Sequence, residues 1–343
     1  MKKILITGAL GQIGSELTIK LRNEYGEQNV IASSRRVKEG NPVCESGIFE
    51  ILDVTDKNRF FEIAKKYDVD TIIHLASLLS AVAESKPLEA WNLNMNGLIN
   101  GLEIAKELDC KFFTPSSIAA FGENSPKNMT PQDTLQRPNT MYGVTKVSGE
   151  LLCDYYHSKF GVDTRGVRFP GLISYVTPPG GGTTDYAVDI YYEALKNKRY
   201  KSYIAEGTKM DMMYMPDALQ SIVDLIEAPA DKLIHRNAFN ITAMSFSPEE
   251  IADSIKKYIP DFVIEYDVDP VRQSIADSWP NSLDSSSAVK EWNFKFSYDL
   301  DKMTKDMLEK LSEKGIGKYQ PIIFIKIGNI LHPQCKQGGD ISL

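Results

Sequence analysis

Tyr142 and Lys146 are the side chains of this sequence best placed for proton transfer. A spacing of four puts both on one face of the helix that they are predicted to open. An ammonium group beside a phenol favours the phenolate and lowers the pKa of a phenol from about 10 toward the working range. Such a phenol can take the proton of a substrate alcohol while hydride leaves the neighbouring carbon. The pair therefore predicts alcohol oxidation.

Position in the chain singles out this pair, because the bare pattern is common. Tyr-x-x-x-Lys occurs four times, and we expect the other three pairs on solvated helix faces: Tyr155 with Lys159, Tyr192 with Lys196, and Tyr298 with Lys302. Only Tyr142 both opens a long predicted helix and follows a strand that carries two serines, Ser116 and Ser117. A hydroxyl group near the phenol would hold the substrate oxygen in line for proton transfer.

Three glycines stand where a predicted strand gives way to a predicted helix. Gly8 and Gly11 lie between the strand 3–7 and the helix 12–25, and Gly14 lies in the first turn of that helix. Glycine permits backbone torsions that are closed to other residues, and it lets a pyrophosphate approach the main chain. The helix N-terminus adds free N–H groups and a partial positive charge. The arrangement predicts a dinucleotide site. The alternative is a tightly packed strand–turn–helix without a ligand.

The end of the second predicted strand bears on which dinucleotide binds. A carboxylate is expected there, about 20 residues after the glycines, to accept hydrogen bonds from the ribose. The chain instead has Ser34, Arg35 and Arg36. Guanidinium groups bind phosphate well, so these residues permit NADP as well as NAD. Alternatively, Arg35 and Arg36 are solvated loop charges.

Strands and helices alternate through the first two-thirds of the chain. Such alternation implies parallel pairing with right-handed crossovers. The predicted strands are residues 3–7, 30–33, 49–54, 71–76, 111–115 and 164–169, and the predicted helices are 12–25, 58–67, 94–108 and 142–160. We expect an α/β fold with a doubly wound parallel sheet in residues 1–175. A smaller lobe would occupy 176–314, with segments that return to the sheet, and the tail 315–343 has no predicted role.

Several segments together resemble the short-chain type of L-threonine 3-dehydrogenase, within the extended short-chain dehydrogenases/reductases. The likeness runs in order over residues 1–312. Its segments are TGALGQIG from Thr7, residues 94–97, 141–146 and 170–174, GGGTTDYAVDIYYEAL from Gly180, and residues 212–218, 239–242 and 278–284. The resemblance implies a Rossmann-type fold with a smaller C-terminal substrate lobe. It also implies that NAD oxidises the 3-hydroxyl of L-threonine to give 2-amino-3-oxobutyrate.

The resemblance assigns site residues by position, and it makes Tyr142, Lys146 and Ser117 catalytic. The implied substrate-binding residues are Ser80, Ser116, Thr183, Thr184 and Trp279. The implied cofactor-binding residues are Gly8, Gly11, Gln12, Ile13, Gly14, Ser34, Arg35, Asp53, Val54, Leu75, Ala76 and Leu172, with Tyr142 and Lys146. Ser34 stands where the family usually has aspartate, which leaves a strict preference for NAD open.

Two further implications concern the adenine and the assembly. Asp53 and Val54 would bind the adenine; alternatively, this segment supplies the N-cap of the next helix, for which Thr55 and Asp56 compete. The resemblance also implies a homodimer, paired as a four-helix bundle through helices 94–108 and 142–160.

Composition excludes several other classes. A net charge of −7 leaves no basic surplus for nucleic acid. No apolar run approaches the roughly 20 residues that span a bilayer, and the N-terminus does not resemble a signal peptide, so we expect a cytoplasmic protein without a membrane partner. The four cysteines are scattered and expected to be reduced. No Cys/His grouping suits zinc, so we expect no metal, and His74 is interpreted as a core residue.

Two alternatives remain open at this point. A nucleotide-sugar 4-epimerase or dehydratase would share the glycines and the Tyr142–Lys146 pair, and Lys196, Lys198 and Arg199 could bind its nucleoside diphosphate. A non-catalytic redox sensor would bind the dinucleotide alone. The complete set of serine, tyrosine and lysine counts against the sensor.

Overall fold

A six-stranded parallel sheet forms the centre of the fold. The computed structural model describes residues 1–180, 182–317, 323–327 and 330–334. In the order in which they pair, the strands are Phe49–Ile51, Val30–Ser34, Ile4–Thr7, Thr71–His74, Lys111–Phe113 and Thr164–Arg165. The order of connection reverses at Ile4–Thr7. The carboxyl end of that strand therefore opens on a crevice, which is where open α/β sheets bind their ligands.

Helices cover both faces of the central sheet because its strands are apolar on both faces. Ile4 packs on one face with the helices Gln12–Tyr25 and Met215–Glu227. Leu5 packs on the opposite face with the helix Gly97–Leu108. Both side chains are fully buried, as parallel sheets require. The prediction of a doubly wound α/β fold is confirmed.

Side chains cap the N-termini of several helices. Thr140 Oγ1 accepts a hydrogen bond from Gly143 N at 3.1 Å and so caps the helix Met141–Phe160. Asp56 caps the helix Lys57–Lys66 in the same way. The other α-helices are Pro42–Glu45, Ser80–Ser85, Pro87–Trp91, Tyr186–Asn197, Pro248–Lys256, Pro270–Ser278, Ser286–Trp292 and Leu300–Glu313, and the π-helical turn Asn92–Asn96 precedes Gly97–Leu108.

Within residues 1–317, as far as the structure describes them, three small sheets and a second apolar core accompany the central sheet. Their strands are Ser116–Ser117, Val167–Phe169 and Phe239–Asn240 in the first, Gly171–Ile173, Met210–Tyr214 and Met244–Phe246 in the second, and Arg199–Ser202 with Val263–Tyr266 in the third. Tyr186, Tyr191 and Met307 are buried in the second core. The helix Met215–Glu227 lies on the central sheet instead, where Lys20 Nζ donates to the Gln220 side chain at 2.9 Å.

The predicted single strand 164–169 is wrong, because these residues form two strands in two sheets. Thr164–Arg165 is the edge of the central sheet, whereas Val167–Phe169 pairs with Ser116–Ser117. Gly166 lies at the break, where a Cβ would stand 2.5 Å from Thr114 O. Because Gly166 has no side chain, the main chain at Gly166 can approach Thr114 closely. After this break, Val167–Phe169 pairs with Ser116–Ser117, which places Ser117 at the carboxyl edge of the central sheet.

The tail that was predicted from residue 315 onward contains one described feature, an antiparallel pair of strands, Ile323–Ile327 and Ile330–Gln334. The three cysteines within the described ranges are free, and Cys335 lies outside them. Among the described residues, no helix is long and apolar enough to cross a membrane. The same residues include no group of three or more His, Cys, Asp or Glu that could hold a metal ion.

Candidate active site

Gly8, Gly11 and Gly14 form a turn that side chains would block. Gly8 has a φ of +70°, and a Cβ there would lie 2.8 Å from Ala76 N. A Cβ on Gly14 would lie 2.3 Å from Gly8 O. Gly11 is the N-cap of the helix Gln12–Tyr25, and no side chain caps that helix end. Its N–H groups are therefore available at the crevice with a partial positive charge, which suits a pyrophosphate.

A groove of about 670 Å³ adjoins this turn. The predicted cofactor residues that line it are Gly8, Gly11, Ser34, Arg35, Val54, Leu75 and Ala76. Leu10, Leu52 and Leu93 add apolar walls. Concave sites with apolar walls and a few polar groups are typical of cofactor binding. The glycine turn and the groove together fit the pyrophosphate and adenosine portions of NAD.

Gln12, Ile13 and Leu172 join the glycine turn to the second small sheet. The Gln12 side-chain amide donates to Leu172 O at 3.5 Å. Leu172 lies in the strand Gly171–Ile173, and both Leu172 and Ile13 pack, partly buried, against the core of the central sheet. The second small sheet thus supports the glycine turn.

Asp53 lies on the exposed surface beside the groove, and its carboxylate already has partners. It accepts hydrogen bonds from Thr55 N at 3.0 Å and from Thr55 Oγ1 at 2.7 Å. These bonds, with a smaller contribution from the charge of Arg35, hold the pKa of Asp53 below its usual value. The N-cap of the following helix is Asp56. The N-cap alternative for Asp53 is therefore excluded, and its contact with adenine stays a prediction.

Tyr142 and Lys146 lie in the first turns of the helix Met141–Phe160. Lys146 Nζ is 5.3 Å from the centroid of the Tyr142 ring and donates to Pro115 O at 2.7 Å. The second contact fixes the ammonium group beside the phenol. Gly143 lets this helix end approach the serine strand, because a Cβ there would lie 2.3 Å from Ala119 O. The spacing of four does bring the phenol and the ammonium group together.

Ser116 and Ser117 have different partners. Ser116 Oγ donates to the buried Glu150 carboxylate. Ser117 Oγ accepts a hydrogen bond from Ala119 N at 3.2 Å and caps the turn Ile118–Ala120. Adjacent residues of a strand point to opposite faces. The hydroxyl proton of Ser116 is engaged within the protein, whereas Ser117 can donate its proton to a substrate oxygen.

Trp279 reaches the same site from late in the chain. Its side chain is 8% exposed and packs in one apolar cluster with Ile118, Phe121 and Leu283, and the Tyr142 ring packs against this cluster. The sequence separates Trp279 from Tyr142 by more than a hundred positions. The cluster forms an apolar wall beside the Tyr142 ring.

The other predicted substrate residues lie on separate elements. Ser80 is the first residue of the helix Ser80–Ser85. Thr183 is buried and opens the short turn Thr183–Asp185. The Thr184 methyl group lies over Gly171, where a Cβ would stand 2.8 Å from it. The contacts of these three residues with the Tyr142 cluster stay a prediction.

His74 belongs to the core of the central sheet. Its ring is stacked between Phe60 and Phe112, with ring centroids 6.4 and 5.8 Å away. Thr7 Oγ1 shares a hydrogen bond with His74 Nδ1 at 3.0 Å. Burial lowers the pKa of His74 to about 3, so the imidazole is neutral at physiological pH. The interpretation of His74 as a core residue agrees with these contacts.

The buried ion pair of Arg168 and Glu150, which contacts Ser116, was not predicted from the sequence. Arg168 Nε and Nη2 donate to the two carboxylate oxygens of Glu150 at 3.0 and 2.8 Å. Gln136 donates to the same carboxylate at 2.7 Å. Glu150 follows Lys146 by four residues, so an extended pattern, Tyr-x-x-x-Lys-x-x-x-Glu, was the signal available in the sequence. The pair fastens the Tyr142 helix to the strands of Ser116 and Arg168.

Substituting Glu150→Ala should lower the free energy of unfolding by about 3–5 kcal/mol. The change leaves the Arg168 guanidinium buried without its counter-charge and removes the acceptor of Ser116 Oγ. Urea unfolding of the parent and variant measures the loss. Glu265→Ala is the matched control, because it breaks an exposed pair with Arg199 and should cost less than about 1 kcal/mol. Similar losses for the two variants would contradict the assigned role of Glu150.

The chain belongs to the NAD dependent epimerase/dehydratase family, whose family model matches residues 4–242. Among curated relatives, an uncharacterized epimerase/dehydratase of Staphylococcus saprophyticus is 59% identical over 314 residues, which are 92% of this chain and 98% of that protein. The family and its fold define an NAD-dependent enzyme built on a Rossmann-like parallel sheet.

Two similar solved structures have names that specify a reaction. The L-threonine dehydrogenase from Phytophthora infestans is 48% identical, with a TM-score of 0.88 over 91% of this chain and 99% of that one. A GalE-like L-threonine dehydrogenase from Cupriavidus necator, in its holo form, is 46% identical, with a TM-score of 0.87 over 90% of this chain and 99% of that one.

Proposed function

We propose that this chain oxidises the 3-hydroxyl of L-threonine to 2-amino-3-oxobutyrate, with NAD as the hydride acceptor. The observation that carries the proposal is the Tyr142 ring, which lies near the fixed Lys146 ammonium group and packs against the Trp279 cluster. The identity of 46–48% to two L-threonine dehydrogenases, over 90% or more of this chain, supports threonine as the substrate.

In the proposed mechanism, Tyr142 removes the hydroxyl proton. The Lys146 ammonium group, held by Pro115 O, stabilises the phenolate through its charge. Ser117 donates its hydroxyl proton to the substrate oxygen and aligns the alcohol with the phenolate. Bound NAD supplies the nicotinamide carbon that accepts hydride. The residues of the protein thus position the alcohol and carry its proton as C3 becomes a ketone.

Threonine is small and zwitterionic, so its site needs polar contacts and a boundary that excludes water. In the proposal, Ser80, Thr183 and Thr184 supply hydroxyl groups to the amino acid. Trp279 forms the apolar boundary on the side of Tyr142.

The contacts of Lys196, Lys198 and Arg199 count against the nucleotide-sugar alternative, which needs basic side chains to bind a nucleoside diphosphate. Lys198 Nζ pairs with Asp261 at 2.6 Å, and Arg199 pairs with Glu265 at 3.0 Å. Lys196 lies over the Tyr192 ring, 5.5 Å from its centroid. These side chains already have partners on the surface of the lobe, which counts against them as ligands of a nucleoside diphosphate.

A direct assay separates the two reactions. The purified chain is mixed with NAD and either L-threonine or UDP-glucose, and the absorbance of the reduced dinucleotide is followed. We expect net reduction with L-threonine only, since an epimerase returns its hydride to the sugar. Conversion of UDP-glucose to its epimer, with no net reduction by L-threonine, would refute the proposal.

We also propose that the chain forms a homodimer through the helix Met141–Phe160. Val144, Leu151 and Tyr155 recur at helical spacing on this helix and are 37%, 63% and 50% exposed. A contiguous apolar stripe on a surface marks an interaction site. Leu151→Asp should therefore halve the mass measured by light scattering, whereas Leu135→Asp, at an exposed leucine outside the helix, should not. A monomeric parent chain would contradict the proposal.

A further inference from the structure

We propose that the groove beside the glycine turn binds NADP as well as NAD, with Arg35 as the principal ligand of the 2′-phosphate. The inference rests on the dinucleotide site of the proposed function, and it does not depend on the substrate. It extends that site by a phosphate subsite, formed by Ser34, Arg35, Arg36 and Lys38, which line the groove together.

The position of the subsite follows from the register of the central sheet. The strand Val30–Ser34 pairs in parallel with Ile4–Thr7, and Ser33 lies opposite Thr7. Ser34 and Arg35 therefore leave the sheet at the same edge as Gly8, one strand away from the glycine turn. In a sheet of this topology, the residue at the end of the second strand meets the ribose of the adenosine. A 2′-phosphate on that ribose would lie against Ser34 and Arg35.

The subsite carries three positive charges, and that of Arg35 acts on the nearby Asp53 carboxylate. In the part of the chain that the structure describes, no salt bridge engages the side chains of Arg35, Arg36 or Lys38. Three exposed cations elsewhere on the surface, Lys198, Arg199 and Lys201, do pair with carboxylates at 2.6–3.0 Å. Three neighbouring cations repel one another, and a dianionic phosphate would relieve that repulsion.

Among the residues that the structure describes, no carboxylate lines the groove to oppose a phosphate. The described lining residues include two arginines and one lysine but neither aspartate nor glutamate. Asp53 is the acidic group that Arg35 influences, and its oxygen already accepts two hydrogen bonds from Thr55. An aspartate at position 34 would repel a 2′-phosphate, whereas Ser34 can donate a hydrogen bond to it. The groove thus lacks the group that excludes NADP from NAD-specific sites.

The test is calorimetric titration of the full chain, without substrate, with adenosine 2′,5′-bisphosphate and with adenosine 5′-monophosphate. We expect the bisphosphate to bind about ten- to a hundredfold more tightly, and the advantage to shrink as salt is added. Arg35→Asp should abolish the advantage while leaving the affinity for the monophosphate within about twofold. Arg35→Lys should retain part of it, and the matched control Arg199→Asp should retain all of it. NADP and NAD are then titrated in the same way.

Each outcome decides the proposal. NADP binding at least as tight as NAD binding, with the difference removed by Arg35→Asp, would support it. Binding of NAD with NADP at least tenfold weaker would overturn it and leave threonine oxidation standing. Equal losses for both nucleotides in Arg35→Asp would show that Arg35 does not contact the 2′-phosphate. Tight binding of the bisphosphate without oxidation of L-threonine by either cofactor would instead overturn the proposed function alone.

Discussion

Replacing Tyr142 with phenylalanine is expected to lower the turnover number for L-threonine oxidation by about 10²–10⁴-fold, the range that a positioned proton acceptor supplies. The variant keeps the ring, so its packing against the Trp279 cluster is preserved. It loses the oxygen that would take the proton. Steady-state assays of the reduced dinucleotide give the turnover number, and titration with NAD should show an unchanged dissociation constant.

The matched control for this variant is Tyr155→Phe. Tyr155 lies on the same helix and also precedes a lysine by four residues, but its side chain is 50% exposed. Its replacement should leave turnover within about twofold of the parent. Full activity in Tyr142→Phe, or a comparable loss in both variants, would rule out Tyr142 as the proton acceptor.

Gly8→Ala is expected to weaken NAD binding by about tenfold or more, since the new methyl group must displace the main chain that forms the cradle. Its Cβ would lie 2.8 Å from Ala76 N and 2.9 Å from Ala76 Cα, and backbone atoms cannot move aside as the end of a flexible side chain can. The φ of +70° adds the cost of a left-handed conformation. Calorimetric titration with NAD measures the loss.

Gly207→Ala separates the effect of steric overlap with the main chain from the effect of a left-handed backbone conformation. Gly207 has a φ of +75° but no atom within 4 Å of an added Cβ, and it does not line the groove. The variant should lose about 1–2 kcal/mol of stability, the cost of its backbone conformation, and should bind NAD normally. If Gly8→Ala also binds NAD normally, the glycine turn is not a pyrophosphate cradle.

Local signals in the sequence predicted the central sheet and the glycine turn. Gly8, Gly11 and Gly14 follow a short apolar run and stand at the start of a segment with helical periodicity, and each of these patterns depends on neighbouring residues only. Burial on both faces made the strands continuous apolar segments, which is why their existence was predictable. The exact ends of the strands were less predictable: the predicted strand 71–76 is observed as Thr71–His74.

Features that depend on contacts between distant segments were not predictable from the sequence. The break at Gly166 arises because the main chain passes close to Thr114, and no local pattern marks that approach. Likewise, Ser116 and Ser117 are adjacent and chemically identical in the sequence. Only the buried Glu150–Arg168 pair, formed between a helix and a strand, shows which hydroxyl is engaged and which is available.

The names of the relatives differ over the reaction, although the fold is common to them. The curated relative carries an epimerase/dehydratase name, and the two solved structures carry the name L-threonine dehydrogenase. An epimerase uses its bound dinucleotide transiently, whereas a dehydrogenase passes hydride from substrate to dinucleotide and releases both products. The fate of the hydrogen atom that leaves the substrate carbon therefore distinguishes a dehydrogenase from an epimerase.

The most direct measurement is to incubate the chain with NAD and L-threonine that carries deuterium at C3, and to examine the recovered dinucleotide by mass spectrometry. We predict reduced dinucleotide that contains one deuterium, formed by the parent chain and lost in parallel with turnover in Tyr142→Phe. Recovery of NAD without reduction, or of reduced dinucleotide without deuterium, would show that the C3 hydrogen of threonine is not the hydride this site transfers.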